Sequence, residues 1–400
     1  MVLGVVCEYN PFHNGHSYQL ARSREAAGEG AVAVCVMSGD FVQRGGAAVY
    51  TKFARAEAAC RCGADLVVEL PLPWCLSSAE GFARGAVGLL GALGAERLCC
   101  GTEAGTDREL DALAALLLDP AFLDRVKRSM ERDPTLSFAS ARETEAEKEL
   151  GGPAALLRQP NAILAVEYAK AIRTLGLDME LWPLKRRGAK HDAPESAEAG
   201  FSSASALREA LRRGDWPAAE LPGPAAEVFA RERAQGRELG DPGALETALL
   251  ARLRALGEGD FLTLPDAAGG LGGRLYRAVR TEGSVDGIVR SAVGKRYTAA
   301  RVRRACLAAC LGVKDGMAAG APPYARILAV NASGREYLRR LREVSALPLV
   351  TKPASVRELG RESEALFTLG ADAHDLYVLG FGPETERRPG ADWRTGPAIM

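Results

Sequence analysis

Five short runs in the first half of the chain, VLGVVCEY, AVAVCVMSG, DLVVELP, ERLCCG and MELWPLK, are apolar almost without interruption. A strand with one wet face alternates apolar and polar residues, whereas a strand covered by helices on both faces does not. Alanine-rich segments with helical spacing separate the runs, so the pattern predicts βα units wound around a parallel sheet. One such segment, SSAEGFARGAVGLLGALG, reads as a helix opened by a serine cap and closed by Gly94.

After about residue 214 the β pattern fades, and the Pro/Gly-rich stretch GDWPAAELPGPAAE marks a boundary. TALLARLRAL, GRLYRAVRT, VDGIVRSAV and TAARVRRACLAACLG then carry apolar residues at helical spacing. Later, ALPLVTK and DLYVLGF have the composition of strands. The expected organisation is a catalytic α/β region over 1–215, a mainly helical region over 216–382 and a weakly ordered tail over 383–400. No internal repeat is visible.

Lysine plus arginine equals aspartate plus glutamate at 51 each, so net charge points to no class of partner. No apolar run reaches the roughly 18 to 20 residues of a membrane span and no basic leader opens the chain, so a cytoplasmic protein without a membrane or protein partner is expected. The nine cysteines include Cys60, Cys62, Cys99 and Cys100, whose spacings lack the two intervening residues usual for zinc. No metal ligand is expected, and the thiols read as small buried hydrophobes.

Two of only four histidines, His13 and His16, stand three residues apart in EYNPFHNGHSYQL. GVVCEY ends a strand, NPFHNG is turn chemistry and HSYQLARSREAA begins a helix. The pair therefore sits where free backbone N–H groups and the helix dipole favour an anion. Two imidazoles there would donate hydrogen bonds to phosphate oxygens as charge grows, with Gly15 leaving room for a nucleotide. The plainer alternative has His13 packing on Phe12 and His16 capping the helix.

The tetrapeptide H-x-G-H after the first strand resembles the HIGH-like nucleotidyltransferases, in which it binds the triphosphate. EYNPFHNGHSYQL, MSGDFVQRG, KFARAEAACRCGADLVVELP, GTE, QPNAILAVEY, HD and SSASALR further resemble, in order, the bacterial tRNA(Met) cytidine acetate ligases. That resemblance implies a Rossmann-like nucleotidyltransferase domain followed by a mainly helical C-terminal one. It also implies an enzyme that uses ATP, with Mg2+, to activate acetate as acetyl-adenylate and then acetylates N4 of the wobble cytidine of elongator tRNA(Met).

By the same resemblance His13 and His16 are catalytic, and Cys7, Glu8, Tyr9, Asn10, Pro11, Phe12, His13, Asn14, Gly15, His16, Ser17, Tyr18, Gln19 and Leu20 form the ATP loop. Gly101, Asn161 and Arg186 would complete the nucleotide site, with Arg187 the alternative to Arg186. Ser203, Ser205 and Arg208 of SSASALR look like the second phosphate motif, hydroxyls at a helix start with an arginine one turn in. Asn161 has a plain helix cap as its alternative, and SSASALR a plain amphipathic helix.

Lys52 and Arg55 lie three apart on one helical face after Arg44, and read either as phosphate contacts or as solvated charges. The loop QRGGAA carries Gly46 and Ala47 where the family usually has glutamate and proline. His191, followed by Asp192, would orient the acceptor base or cap a turn, and His374 reads as structural.

From Ser284 to Arg340 eleven Lys/Arg face three acids, a net of +8 in an otherwise neutral chain. Such a segment suits a phosphate backbone. Lys295, Arg296, Tyr297, Arg301 and Arg304 in GKRYTAARVRRACL resemble the family's tRNA-facing helix, and Tyr297 and Tyr324 have the ring chemistry to stack on unpaired bases. Two other functions fit parts of the pattern: a small-molecule adenylyltransferase using the same H-x-G-H site, and a non-catalytic tRNA-binding protein. The basic helical half argues against the first, the intact histidine pair against the second.

Overall fold

The structure is a computed structural model that describes residues 1–187, 200–265, 267 and 269–400. All five expected runs are strands: β1 Val2–Cys7, β2 Val32–Ser38, β5 Leu66–Leu70, β6 Arg97–Thr102 and β7 Glu180–Lys185, with a small hairpin, β3 Phe41–Val42 and β4 Gly46–Ala47, between β2 and β5. Every residue of β2 and β5 is buried, which is why neither alternates. Seven helices matter below: α1 Asn14–Ala27, α2 Lys52–Arg61, α3 Ala79–Ala92, α4 Pro160–Leu175, α5 Ala204–Arg212, α6 Ala299–Leu311 and α7 Arg361–Tyr377. Ser78 caps α3 as expected, its side chain accepting from the Gly81 N–H.

The five strands pair in parallel in the order β5-β2-β1-β6-β7. The winding runs outward from β1 one way through β2 and β5, then back through β6 and β7. The strand order therefore reverses beside β1, and a doubly wound sheet opens its ligand crevice at the carboxyl ends of the strands flanking that reversal. Here those are β1 and β6, the strands that lead into the H-x-G-H turn and carry Gly101.

The second half departs from expectation. It contributes strand β8, Ala325–Val330, buried throughout and antiparallel to β5, and two short strands that pair with β8: β9 Leu349–Val350 and β10 Ala398–Ile399. ALPLVTK supplies β9. DLYVLGF does not form a strand, because buried Phe367, Ala371, His374 and Val378 carry a helical period through it.

The segment 383–400, expected as a weakly ordered tail, is tied into the core. Besides β10 it brings Asp392, fully buried, whose Oδ2 lies 2.6 Å from Lys52 Nζ and 3.1 Å from Arg326 Nη1. Its Pro/Gly-rich composition hid one carboxylate that completes a buried charge cluster. Lys52 also binds Glu69 Oε1 at 2.8 Å, Arg326 binds Glu69 Oε2 at 3.1 Å, and His374 Nδ1 meets Asp40 Oδ2 at 2.8 Å. Desolvation works against the charge on His374, but the Asp40 carboxylate outweighs it and raises the histidine above its ordinary value.

Lys52 and Arg55 are thus neither phosphate contacts nor solvated charges. Arg55 is wholly buried and donates to the carbonyls of Glu8, Ser38, Gly39 and Tyr50. A buried cation must be paired or hydrogen-bonded, and Arg55 meets that demand by clamping together the ends of β1 and β2. His374 is structural, as expected.

Candidate active site

A cleft of about 770 Å³ opens at the carboxyl ends of β1 and β6. Beyond β1 the chain turns sharply at Tyr9, whose φ of 45° is unusual for a residue with a side chain. Such a conformation costs on the order of 1 to 2 kcal/mol and survives only where its surroundings fix it. Here they do: the Tyr9 ring is buried, Asn10 Oδ1 accepts from Val49 N–H at 2.9 Å, and Arg208 Nη1 donates to the Asn10 carbonyl at 2.9 Å.

His13 is the N-cap of α1. Its Nδ1 accepts from the Gly15 N–H at 3.0 Å, while His16 Nδ1 accepts from the His13 N–H at 3.3 Å. The two rings thereby cap the helix reciprocally, with centroids 3.8 Å apart. A neutral imidazole whose Nδ1 accepts must carry its proton on Nε2. Capping and chemistry coincide, because the caps set the tautomer in which both rings can donate.

Burial, then the nearby Arg186 and Arg208, holds His13 neutral, with its ionisation lowered to about 3. His16 is likewise held well below the usual histidine range by burial, by His13 and by Arg186. Gly15 proves necessary for the cap itself, since a Cβ there would stand 2.8 Å from His13 Cε1.

The expected ATP loop divides into two groups. Cys7, Glu8, Tyr9, Asn10, His13, Gly15, His16, Tyr18 and Gln19 line the cleft. Pro11, Phe12, Asn14, Ser17 and Leu20 do not: Phe12 and Leu20 are buried in the core, Ser17 N–H caps onto the His13 carbonyl, and Asn14 Nδ2 bonds the carbonyls of Gly200 and Ala219, each at 2.9 Å. These residues hold the loop in shape from behind.

On the β6 side, Gly101, Asn161 and Arg186 all line the cleft. Strand pairing sets Gly101 opposite Leu184, and a Cβ on Gly101 would lie 3.3 Å from Arg186 Cγ. The missing side chain therefore lets the arginine stem lie across β6 towards the histidines. Burial opposes the charge on Arg186, Glu103 favours it and Arg44 opposes it, so its ionisation lies below the ordinary arginine value. Arg187 lines the cleft as well, its guanidinium over Phe201 at 5.0 Å and Tyr18 at 5.6 Å.

Asn161 is not the N-cap of α4. Glu103, which follows β6, accepts from Asn161 Nδ2 at 2.5 Å and from the Ala162 N–H at 3.2 Å, so its carboxylate caps the helix and orients the amide. Glu103 lay in the quoted GTE block, but its role depends on α4 arriving beside β6.

Ser203 caps α5 by accepting from the Ala206 N–H at 3.2 Å, and both it and Arg208 line the cleft. Ser205 stands behind them, accepting from Arg208 Nη2 at 2.9 Å. Arg208 thus ties the SSASALR segment to the H-x-G-H turn through the Asn10 carbonyl. His191 and Asp192 lie outside the described residues.

The basic helix is nearer the site than its sequence position suggests. Thr298, Ala300, Arg303 and Arg304 line the same cleft, facing Gln43 and Arg44 of the β3–β4 turn. Lys295 and Arg296 are exposed. Tyr297 and Tyr324 are not stacking platforms, since both are buried: the Tyr297 hydroxyl binds the Gly269 carbonyl under Arg301, 5.3 Å from its ring, and Tyr324 packs near Phe367. Their flanking charges resembled a nucleic-acid face, whereas their own surroundings are core.

A doubly wound sheet with paired imidazoles at its switch point defines a nucleotidyltransferase. The sequence profile described as HIGH Nucleotidyl Transferase matches residues 1–391. The tRNA(Met) cytidine acetate ligase of Syntrophotalea carbinolica is 38% identical over 87% of this chain and 84% of its own, and that of Acetivibrio thermocellus is 32% identical over 100% of both. Among solved structures, Thermotoga maritima TmcAL in its apo form I superposes with a TM-score of 0.93 at 30% identity, covering 100% of this chain and 99% of that one. The same protein bound with alpha-thio ATP gives a TM-score of 0.91 at 29% identity, again covering 100% and 99%. The chain belongs to the tRNA(Met) cytidine acetate ligase family, within the HIGH nucleotidyltransferases.

Among the described residues no helix is long and apolar enough to cross a membrane, and no group of three or more His, Cys, Asp or Glu is placed to hold a metal ion.

Proposed function

We infer that this chain is an ATP-dependent tRNA-modifying ligase that activates acetate as acetyl-adenylate, releasing pyrophosphate, and passes the acetyl group to N4 of the wobble cytidine of elongator tRNA(Met). The relatives' names supply the reaction. The observation that carries its chemistry here is the pair of neutral imidazoles, both with Nδ1 occupied by backbone N–H groups and Nε2–H left to donate.

The carboxylate of acetate attacks the α-phosphate, so no protein nucleophile is required. The chain's part is alignment and charge stabilisation. His13 and His16 donate to oxygens of the α-phosphate as negative charge builds, a task suited to donors fixed before the reaction begins. Arg186 and Arg208 flank them and balance the polyphosphate, while Ser203 presents the N-terminus of α5. Magnesium bound to ATP oxygens and water would neutralise part of the same charge.

Lys295, Arg296, Arg301 and Arg304 form the tRNA face, now joined by Arg303. Placing α6 on the rim lets the tRNA backbone lie where its reacting base can enter the cleft. Acetate-dependent exchange of pyrophosphate into ATP, followed by mass spectrometry of tRNA incubated with ATP and acetate, tests the reading. No exchange, or exchange without added acetyl mass on tRNA, refutes it.

A further inference from the structure

Seven cationic side chains line the cleft, whereas among the described lining residues only one acid, Glu8, does so. A carboxylate beside a polyphosphate site opposes the binding of ATP, of acetate and of tRNA, so its presence calls for a task that none of those anions supplies. Its placement is constructed. Glu8 is the last residue before the left-handed Tyr9, whose turn sends the tyrosine ring into the core and leaves the glutamate at the end of β1, facing the cleft. Glu8 Oε1 accepts from the Gln43 N–H of the hairpin at 2.7 Å, and no hydrogen bond reaches Oε2 among the described residues. Arg208 lies electrostatically within reach of both Glu8 and His13, so the carboxylate and the α-phosphate donors stand around one guanidinium.

The reaction has one participant that seeks an acceptor. The exocyclic N4 of cytosine is a hydrogen-bond donor, and Asp or Glu is its usual side-chain acceptor. As N4 attacks a carbonyl it also acquires a proton that it must lose. Resting on the ligase reading above, we propose that Glu8 Oε2 receives the N4 amine of the target cytidine, orients it against the acetyl carbonyl and takes its proton.

The N4 lone pair forms the new C–N bond to the acetyl carbon, and the carbonyl electrons move onto oxygen. The intermediate collapses by breaking the C–O bond to the phosphate, AMP leaving with that electron pair. One N4 proton passes to Glu8 and later to water. The products are N4-acetylcytidine, AMP and a proton.

The step is tested with Glu8→Gln, whose side-chain carbonyl can still accept from the Gln43 N–H while being unable to take a proton. Transfer from preformed acetyl-adenylate to tRNA should fall at least about 100-fold, and acetate-dependent pyrophosphate exchange less than about tenfold. Equal losses in both steps would assign Glu8 to nucleotide or magnesium binding and overturn the inference, as would transfer at the wild-type rate.

The wild-type protein provides a second readout. Groups that face Glu8 are Arg44 of the hairpin, Arg55 of α2, Arg208 of α5, Tyr168 of α4 and Cys75. Burial outweighs the three arginines and raises the glutamate above its ordinary value. Single-turnover transfer should therefore decline on acidification with an apparent pKa above that of an ordinary glutamate, and a profile flat from about pH 5 to 8 would overturn the inference. Absence of acetate-dependent exchange in the wild type is a different failure, one that removes the ligase reading itself.

Discussion

Gly45, at the tip of the β3–β4 hairpin, packs directly against the backbone of Arg304: a Cβ on Gly45 would lie 2.6 Å from the Arg304 amide nitrogen. At φ 78° the glycine also occupies a conformation that side chains resist. This contact is how the basic helix reaches the rim of a cleft built almost three hundred residues earlier in the chain. Gly45→Val should separate α6 from the hairpin, destabilising the protein by about 1 to 3 kcal/mol and raising the KM for tRNA more than that for ATP. Denaturant unfolding and steady-state kinetics with each substrate varied would check it.

Removing either imidazole, as His13→Ala or His16→Ala, should leave a folded protein with adenylation reduced at least about a hundredfold, since one preorganised donor to a developing oxyanion is worth about 2.7 to 4 kcal/mol. Pyrophosphate exchange measures this, with thermal unfolding to show that the fold is intact. Near-normal exchange by either variant would contradict the assignment.

The same histidines predict a pH dependence. Their folded-state ionisation lies below the unfolded value, His13 at about 3, so the unfolded chain binds more protons as pH falls. Stability should be full above about pH 6.5 and decrease on acidification by up to about 1.4 kcal/mol per pH unit for each histidine. In urea titrations at pH 7 and 5 the double variant His13→Asn, His16→Asn should show a smaller loss than wild type; an equal loss would place the proton uptake elsewhere.

Gly101→Val should act through Arg186. The added side chain would meet the arginine stem 3.3 Å from the Cβ position, so ATP affinity should fall with little change in stability. Arg186→Lys keeps the charge but loses the forked donor and should also weaken ATP binding. Titration calorimetry with a non-hydrolysable ATP analogue reads both, and unchanged affinity in Arg186→Lys would remove the arginine from the phosphate site.

Asp392→Ala should cost about 3 to 5 kcal/mol, because it leaves Arg326 buried with Glu69 alone and Lys52 with Glu69 and the more distant Asp40, 3.9 Å away. Loss of stability far below that range, measured by chemical unfolding, would mean that water replaces the carboxylate.

The sequence by itself determined the α/β class and the first five sheet strands, because short apolar runs bounded by turn residues recur between helical segments, although the same kind of run in DLYVLGF proved helical and β7 is only half-buried. Through its resemblance to a known family it likewise marked the histidine pair, Gly101, Arg186 and SSASALR, which stand at strand and helix ends that converge on one cleft. Tertiary structure alone decided what pairing over long separations decides. Lys52 and Arg55 look like surface charges until Glu69, Asp392 and the strand-end carbonyls surround them. Tyr297 looks like a stacking ring until its burial is known. The last residues look like a tail until β10 pairs with β8. A lone buried charge, an edge strand and a glycine contact carry no local periodicity, so their meaning resides in partners that only the fold brings near.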